Sequence, residues 1–282
     1  MLAGDLQTAY LRRLGLEAEP PSHDALQRLH RAQVERVPYE TLWIHGGEGW
    51  GIDLADAVER IAVRGRGGYC FHLNGAFSEL LTSLGYDVTR HVGGVHGPGG
   101  LTAAEMTNHL VLTVGGLPTD EHSEGTWYVD VGLGDALHEA LPLAAGTHQE
   151  GPFLLAIEPT DEGWHLTHDP SGDFAGMAWR SAPASMDDFA ERHRWLSTDP
   201  ASGFVRVATA QRRDATGVDT LRGLVLTRIG EGTAPGEPLT DRDDWFAALA
   251  DVFGLCFDAP VAHRLWTRCR AAHEAWEATD RS

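Results

Sequence analysis

Three residues with complementary chemistry stand far apart along the chain, Cys70, His109 and Asp130. Cys70 follows two glycines in Arg66-Gly67-Gly68-Tyr69-Cys70-Phe71 and opens an apolar pattern of helical period. A thiol at a helix start, with an imidazolium nearby, is brought from its usual ~8.5 down to roughly 3.5–7.5 and becomes a nucleophile. Even two pKa units of that kind correspond to about 2.7 kcal/mol in favour of the thiolate. Gly67 and Gly68 tolerate positive φ and, lacking side chains, are expected to let a substrate carbonyl approach the amides of the helix start as oxyanion donors. His109 leads into the run Leu110 to Val114 and is the candidate base; Asp130 closes Tyr128-Val129-Asp130 and is the candidate orienting carboxylate. Nucleophile, base and orienter together suit covalent acyl transfer.

Each residue also has a plainer explanation. A cysteine ahead of a helix packs as a small hydrophobe, a histidine at a strand start sits in a core or on a surface, and an aspartate after a strand forms a turn. Spacing does not fix whether the three meet. Cys70, His72, His91, His96 and His109 are metal-ligating types, but no tight ligand pair of the kind zinc sites use is present, so no metal is expected.

The elements that must position these residues follow from periodicity. Leu6 to Leu14, then Leu26, Leu29, Val34 and Val37, then Leu54, Val58 and Ile61 recur at helical spacing, with Ser22 as a candidate N-cap. After Cys70, Leu73, Phe77, Leu80, Leu81 and Leu84 step by three and four to Gly85, a helix terminator, which puts Cys70 in the first turn. From Val88 short strand-like runs take over: Val88 to Val92, Leu110 to Val114, Thr126 to Val131, Phe153 to Ile157 and Trp164 to Thr167. Gly93-Gly94 with Gly97-Pro98-Gly99-Gly100 reads as a flexible loop. Pro183 to Trp195 reads as helix, Val205 to Ala210 and Leu221 to Ile229 as strands, and Trp245 to Phe253 and Val261 to Trp276 as helices. The sum is an α+β chain with no internal repeat, divided at 1–86, 87–185 and 186–282.

Composition narrows the function classes. The chain has 282 residues, 42% of them hydrophobic, and a formal charge of −19. That charge argues against nucleic acid and anionic membranes, which bind basic surfaces. All 22 cationic side chains are arginines, so Schiff-base chemistry and a lysine phosphate loop are excluded. Cys70, Cys256 and Cys269 are too few and odd in number for a disulfide framework, which points to a reducing, cytoplasmic setting; Cys256 and Cys269 lie in apolar contexts and read as packing residues. No apolar run long enough to span a membrane occurs, and the first residues lack a signal core.

The words Arg-Gly-Gly-Tyr-Cys-Phe, Asn-His-Leu-Val-Leu and Val-Asp-Val-Gly-Leu-Gly, in the order Cys, His, Asp, closely resemble the arylamine N-acetyltransferase family, as do Arg36-Val37-Pro38-Tyr39-Glu40-Thr41-Leu42 and Asp199-Pro200-Ala201-Ser202-Gly203-Phe204. The resemblance implies a helical bundle carrying Cys70, a β-barrel carrying His109 and Asp130, and an α/β lid, around a cysteine-protease-like core. It implies ping-pong transfer of acetyl from acetyl-CoA, the acyl donor, to a small-molecule arylamine, hydrazine or arylhydroxylamine, by a monomer or homodimer. It makes Cys70 the acyl-bearing nucleophile, His109 the base and Asp130 the orienter. Tyr39 and Leu133 fall at acceptor-pocket positions where the family commonly has phenylalanine. Gly132, Gly134, Ser202 and Gly203 lie in segments expected to approach coenzyme A, with the Gly93 to Gly100 loop as an alternative. His72 stands where glutamate is common, and Asp199 where histidine is common. The departures at Tyr39 and Leu133 keep open an amide synthase releasing a carrier-bound chain, and those at His72 and Asp199 a binding module without catalysis, while the order Cys, His, Asp also suits a thiol hydrolase of transglutaminase-like or papain-like type.

Overall fold

The computed structural model describes residue 2, residues 4–233, residue 236 and residues 238–280. Helices α1 (Gly4–Leu14) and α2 (His23–Arg36) lead to a two-residue strand, β1 (Tyr39–Glu40), and then to α3 (Leu42–His45), α4 (Leu54–Ala62) and α5 (Cys70–Ser83). The start of α2 is capped as the sequence foretells, Ser22 Oγ accepting the Ala25 N–H at 3.1 Å. Gly85, at φ +95°, follows the last turn of α5, where a left-handed residue ends a helix at least cost. Phe71, Leu73, Ala76, Phe77, Leu80 and Leu81 of α5 are completely enclosed. A helix buried on nearly every side belongs at the centre of a domain, and α5 packs there against α1, α4 and the sheet that follows.

That sheet comprises β2 (Asp87–His96), β3 (His109–Gly115), β4 (Trp127–Val129), β5 (Leu141–Pro142), β6 (Gly146–Glu150), β7 (Phe153–Pro159), β8 (Gly163–Thr167) and β9 (Gly176–Pro183). The eight strands pair antiparallel in the order β5-β4-β3-β2-β9-β8-β7-β6 and curl into a nearly closed barrel. Val111, Tyr128, Phe153, Leu166, Met177 and Trp179 meet in its interior, while Leu112 and Val114 join the core around α5. β3 is therefore buried on both faces, which is why its sequence is a continuous apolar run without alternation.

The remainder holds a short 3-10 helix (Met186–Phe189), α6 (Ala190–Thr198), α7 (Gly203–Arg206), β10 (Thr209–Arg213), β11 (Gly217–Arg222), β12 (Val225–Gly230), α8 (Arg242–Phe253) and α9 (Ala259–Asp280). A second antiparallel sheet runs β1-β10-β11-β12, so its outer strand comes from the helical N-terminal segment. Helices α8 and α9 cover it through Trp245, Leu249, Phe253 and Leu265.

Four sequence expectations change. Val205 to Ala210 is the end of α7 and the start of β10, because Ser202 caps a helical turn: its Oγ accepts the Phe204 N–H at 3.2 Å. Leu221 to Ile229 is two strands joined at Gly223, whose φ of +61° permits the reversal. Gly93 and Gly94 belong to β2 and not to a loop; a Cβ on Gly93 would lie 2.8 Å from Val111 and one on Gly94 2.6 Å from Leu101, so close packing selects glycine there. Pro183 ends β9, and helix starts only at Met186. Among the described residues no helix is long and apolar enough to cross a membrane.

Candidate active site

The loop before α5 is tied down by charge. Arg66 is buried and donates its fork to Glu40 at 2.9 and 3.0 Å and to Glu48 at 2.9 Å. Burial pulls the guanidinium pKa down, but the two carboxylates outweigh it and leave it raised. The backbone adds a second tie, Glu40 N–H donating to the Gly68 carbonyl at 2.8 Å. Contrary to the expectation from sequence, Gly67 and Gly68 do not open a path for substrate. A Cβ on Gly67 would sit 1.9 Å from the Pro38 carbonyl oxygen, and one on Gly68, at φ +150°, 2.6 Å from His72 Cβ. The space they leave is taken by the protein itself. His72 is neutral, its pKa held well below the usual value by burial and by the nearby Arg60 charge, and its Nε2 bonds the Gly51 carbonyl at 3.1 Å.

The Tyr69 carbonyl accepts the His72 and Leu73 N–H groups, which leaves the Cys70 and Phe71 amides as first-turn donors without intrahelical acceptors. Cys70 Sγ lies 3.6 Å from the Asn108 carbonyl. That carbonyl is held in place because the Asn108 side chain brackets Val95, accepting its N–H at 2.8 Å and donating to its carbonyl at 2.9 Å. One residue earlier, Thr107 takes φ +86°, an outlier for a β-branched residue that costs roughly 1–3 kcal/mol. Strain therefore sits two residues ahead of His109.

His109 is buried at the head of β3, and its Nε2 donates to Asp130 Oδ2 at 2.7 Å. Asp130, 1% exposed, is fully satisfied. Oδ2 also accepts from the Tyr128 hydroxyl at 3.1 Å, and Oδ1 accepts from Asn74 Nδ2 at 2.7 Å and from the Gly132 N–H at 3.0 Å. Asn74 further donates to the Leu110 carbonyl at 2.6 Å and accepts the Val131 N–H at 2.8 Å. Because residues four apart share a helix face, α5 carries both the thiol and the amide that clamps β3 and β4 beside it.

The electrostatics follow from this geometry. Burial lowers the His109 pKa, but the Asp130 charge, then the Cys70 charge, then hydrogen bonds to both outweigh it and raise it to about 10. With Nε2 on Asp130, the second ring nitrogen serves the sulfur. An imidazolium at His109 is thus stable at neutral pH. Burial and the Asp130 charge keep the Tyr128 phenol well above its usual value, so it remains a donor.

A cavity of about 310 Å³ opens over the thiol, walled by Tyr39, Cys70, Asn108, His109, Gly132, Leu133, Phe174 and Phe204 among others. The structure thus brings together Cys70, His109, Asp130, Tyr39, Leu133 and Gly132 from different elements, and Gly203 from the far end of the chain. Ser202 and Gly134 stand apart from that cavity. Ser202 is fully buried with its hydroxyl on the Leu196 carbonyl at 2.7 Å, and Gly134 packs under Gln211. Gly132 is pressed on Cys70, since a Cβ there would lie 2.7 Å from Cys70 Cα. Asp199 caps a turn, accepting the Ala201 N–H at 2.8 Å. A second, mostly apolar cavity of about 440 Å³ adjoins the first and shares Asp173, Val207 and Arg222 with it. Among the described residues no three of His, Cys, Asp or Glu gather as a metal site.

Sequence reasoning missed Asn74, Tyr128, Asn108, Phe204 and Arg222. Asn74 had a signal: a lone amide inside an apolar helix competes with its own backbone and needs a reason to be there. Phe204 lay in the family-like segment Asp199 to Phe204 but was not singled out, and Arg222 had no signal, because its place depends on how the third segment folds back.

The model of a family described as N-acetyltransferase matches residues 22–262. Arylamine N-acetyltransferase 2 of Mesocricetus auratus is 26% identical over 242 residues, covering 78% of this chain and 81% of that protein. The solved structure of Mycobacterium marinum arylamine N-acetyltransferase in complex with CoA superposes with a TM-score of 0.82 at 26% identity, over 94% of this chain and 99% of that one. The Nocardia farcinica arylamine N-acetyltransferase gives 0.78 at 28% identity, over 92% and 93%.

Proposed function

The chain belongs to the arylamine N-acetyltransferase family, and from that premise we propose that it moves acetyl from acetyl-CoA to an arylamine, hydrazine or arylhydroxylamine through a thioester on Cys70. The observation that carries the assignment of roles is the buried His109 held between Asp130 at 2.7 Å and the Cys70 sulfur, at the floor of a cavity.

In the first half-reaction the Cys70 sulfur attacks the thioester carbonyl. The tetrahedral adduct, its oxygen facing the first-turn amides of α5, collapses with loss of the coenzyme A thiolate, which takes the proton from His109. Acetylation removes the negative charge from sulfur and with it two of the influences that raise the His109 pKa. The imidazole left behind is neutral and available as base. In the second half-reaction the acceptor nitrogen attacks the thioester, His109 takes its proton, and the Cys70 thiolate leaves, restoring the ion pair. Asp130 holds the ring through Nε2 in both states.

Tyr39 and Leu133 are the proposed acceptor walls. The Tyr39 phenol stays protonated, since burial and the Cys70 charge push it well above its usual value, so it offers a donor to an acceptor with a polar substituent. Leu133 leaves more width than an aromatic ring would. The segments 1–86, 87–185 and 186–282 are proposed to act as nucleophile carrier, base carrier and cover. Cys70, Cys256 and Cys269 are free thiols, which supports a reducing, cytoplasmic setting.

Mass spectrometry after incubation with acetyl-CoA tests the proposal. One acetyl group is expected on Cys70 and none on a Cys70→Ala protein. A label that persists in that variant, or a wild type that takes none, overturns it. Consumption of acetyl-CoA without any added amine would instead assign a thiol hydrolase.

A further inference from the structure

Building on the donor chemistry proposed above, we infer that Arg222 and Arg206 recognise the phosphate groups of the acyl donor. A chain with a formal charge of −19 repels a polyanionic substrate on average, so local cations must admit it. Arginine is the only cationic residue type available apart from histidine. Most arginines that line internal structure are already committed: Arg66 to Glu40, Arg90 to Glu79 and Arg228 to Asp214 and Asp219, each within 2.9 Å. Arg222 and Arg206 differ. Both are exposed, and neither makes an ion pair or a side-chain hydrogen bond with any described residue.

Their position is as telling as their freedom. Arg222 ends β11 and lines both the cavity over Cys70 and the adjoining one, so it stands where the two meet. Arg206 ends α7 on the wall of the second cavity. On the same wall Val207, Val225, Ile229 and the exposed Trp276 offer apolar surface suited to a pantetheine-like arm that leads from a thioester to its phosphates. Asp173 is the opposing carboxylate at the junction. It accepts Gln211 Nε2 at 2.6 Å, leaving two arginines against one carboxylate. A guanidinium fork matches phosphate oxygens in geometry as well as charge.

The test compares donors that share the acetyl thioester and differ in phosphate: acetyl-CoA, acetyl-phosphopantetheine and acetyl-pantetheine. Arg222→Gln is expected to lower kcat/KM for acetyl-CoA roughly tenfold, and the Arg206→Gln/Arg222→Gln double variant roughly a hundredfold, as loss of charge-assisted hydrogen bonds implies. Acetyl-pantetheine is expected to change less than about twofold, because no phosphate is there to recognise. Arg12→Gln, an exposed arginine of α1 outside both cavities, makes the same charge change and should leave every donor unaffected. A loss shared by acetyl-phosphopantetheine assigns the contact to the phosphate common to coenzyme A and carrier-bound donors. A loss confined to acetyl-CoA assigns it to the nucleotide phosphates. Both support phosphate recognition. An equal loss with acetyl-pantetheine, or none with acetyl-CoA, overturns it. A wild type that takes no acetyl on Cys70 would fail the underlying reaction, and the mass spectrum separates that failure from this one.

Discussion

Asn74→Ala is the sharpest probe of how the site is held together. The substitution removes no atom that meets substrate, yet Asn74 makes three buried hydrogen bonds: to the Leu110 carbonyl at 2.6 Å, to Asp130 Oδ1 at 2.7 Å and from the Val131 N–H at 2.8 Å. An orphaned buried N–H at Val131 costs about 1–3 kcal/mol, and the lost charge-assisted bond to Asp130 about 1.5–3. Asp130 Oδ1 keeps the Gly132 N–H, which limits the damage there. The sum is a destabilisation of about 4 kcal/mol, or a fall in melting temperature of roughly 8 °C at about 2 °C per kcal/mol for a chain of this length. Because the clamp also fixes β3 against β4, the rate of Cys70 acetylation should fall more than tenfold at temperatures where the variant is fully folded. Urea denaturation and rapid-quench mass spectrometry measure the two effects. A variant within about 1 kcal/mol of the wild type that acetylates at the normal rate would refute the idea that Asn74 joins the nucleophile helix to the orienting carboxylate.

Three further outcomes are expected. Asp130→Asn removes the first of the influences that hold His109 near 10, so burial dominates and the imidazolium is lost at much lower pH; the iodoacetamide reaction of Cys70 near neutrality should slow at least roughly tenfold, and an unchanged pH profile would contradict this. Asp135 is raised to about 6 by burial, only partly offset by His168, so the native state binds the extra proton and stability falls as pH rises from ~3.9 through about 6. Asp135→Asn, which keeps an acceptor for the Asp173 N–H, should therefore gain about 1–2 kcal/mol at neutral pH and nothing near pH 4, whereas a loss at both would reject the sign. Leu133→Phe should narrow the cavity and penalise fused-ring acceptors more than single-ring ones in kcat/KM, with equal effects on both counting against Leu133 as an acceptor wall.

The local part of the fold was legible because it is written in nearest-neighbour physics. Ser22 announced the start of α2, Gly85 the end of α5, and the steps of three and four after Cys70 placed the thiol in a first turn. Errors arose where a residue's reason lies in a distant partner. Gly93 and Gly94 resemble loop glycines until Val111 and Leu101 are seen against them, and Gly67 and Gly68 resemble an opening until Pro38 and His72 are found filling it. The strand β1 carries too few residues to show a period, and only its pairing with β10 makes it a strand.

The sequence by itself determined the reactive residue types, the helix that carries Cys70, the family, and a charge balance that confines cations to arginine, because each of these depends on composition or on contacts within a few residues. Only the tertiary structure decided that His109 and Asp130 close to 2.7 Å beside the sulfur, that Asn74 is their strap, and that Arg222 reaches the cavity from the far end of the chain. Those meetings join segments tens to more than a hundred residues apart, and what selects them is the packing of the barrel strands on α5 and of the third segment back over the cavity, which no local pattern encodes.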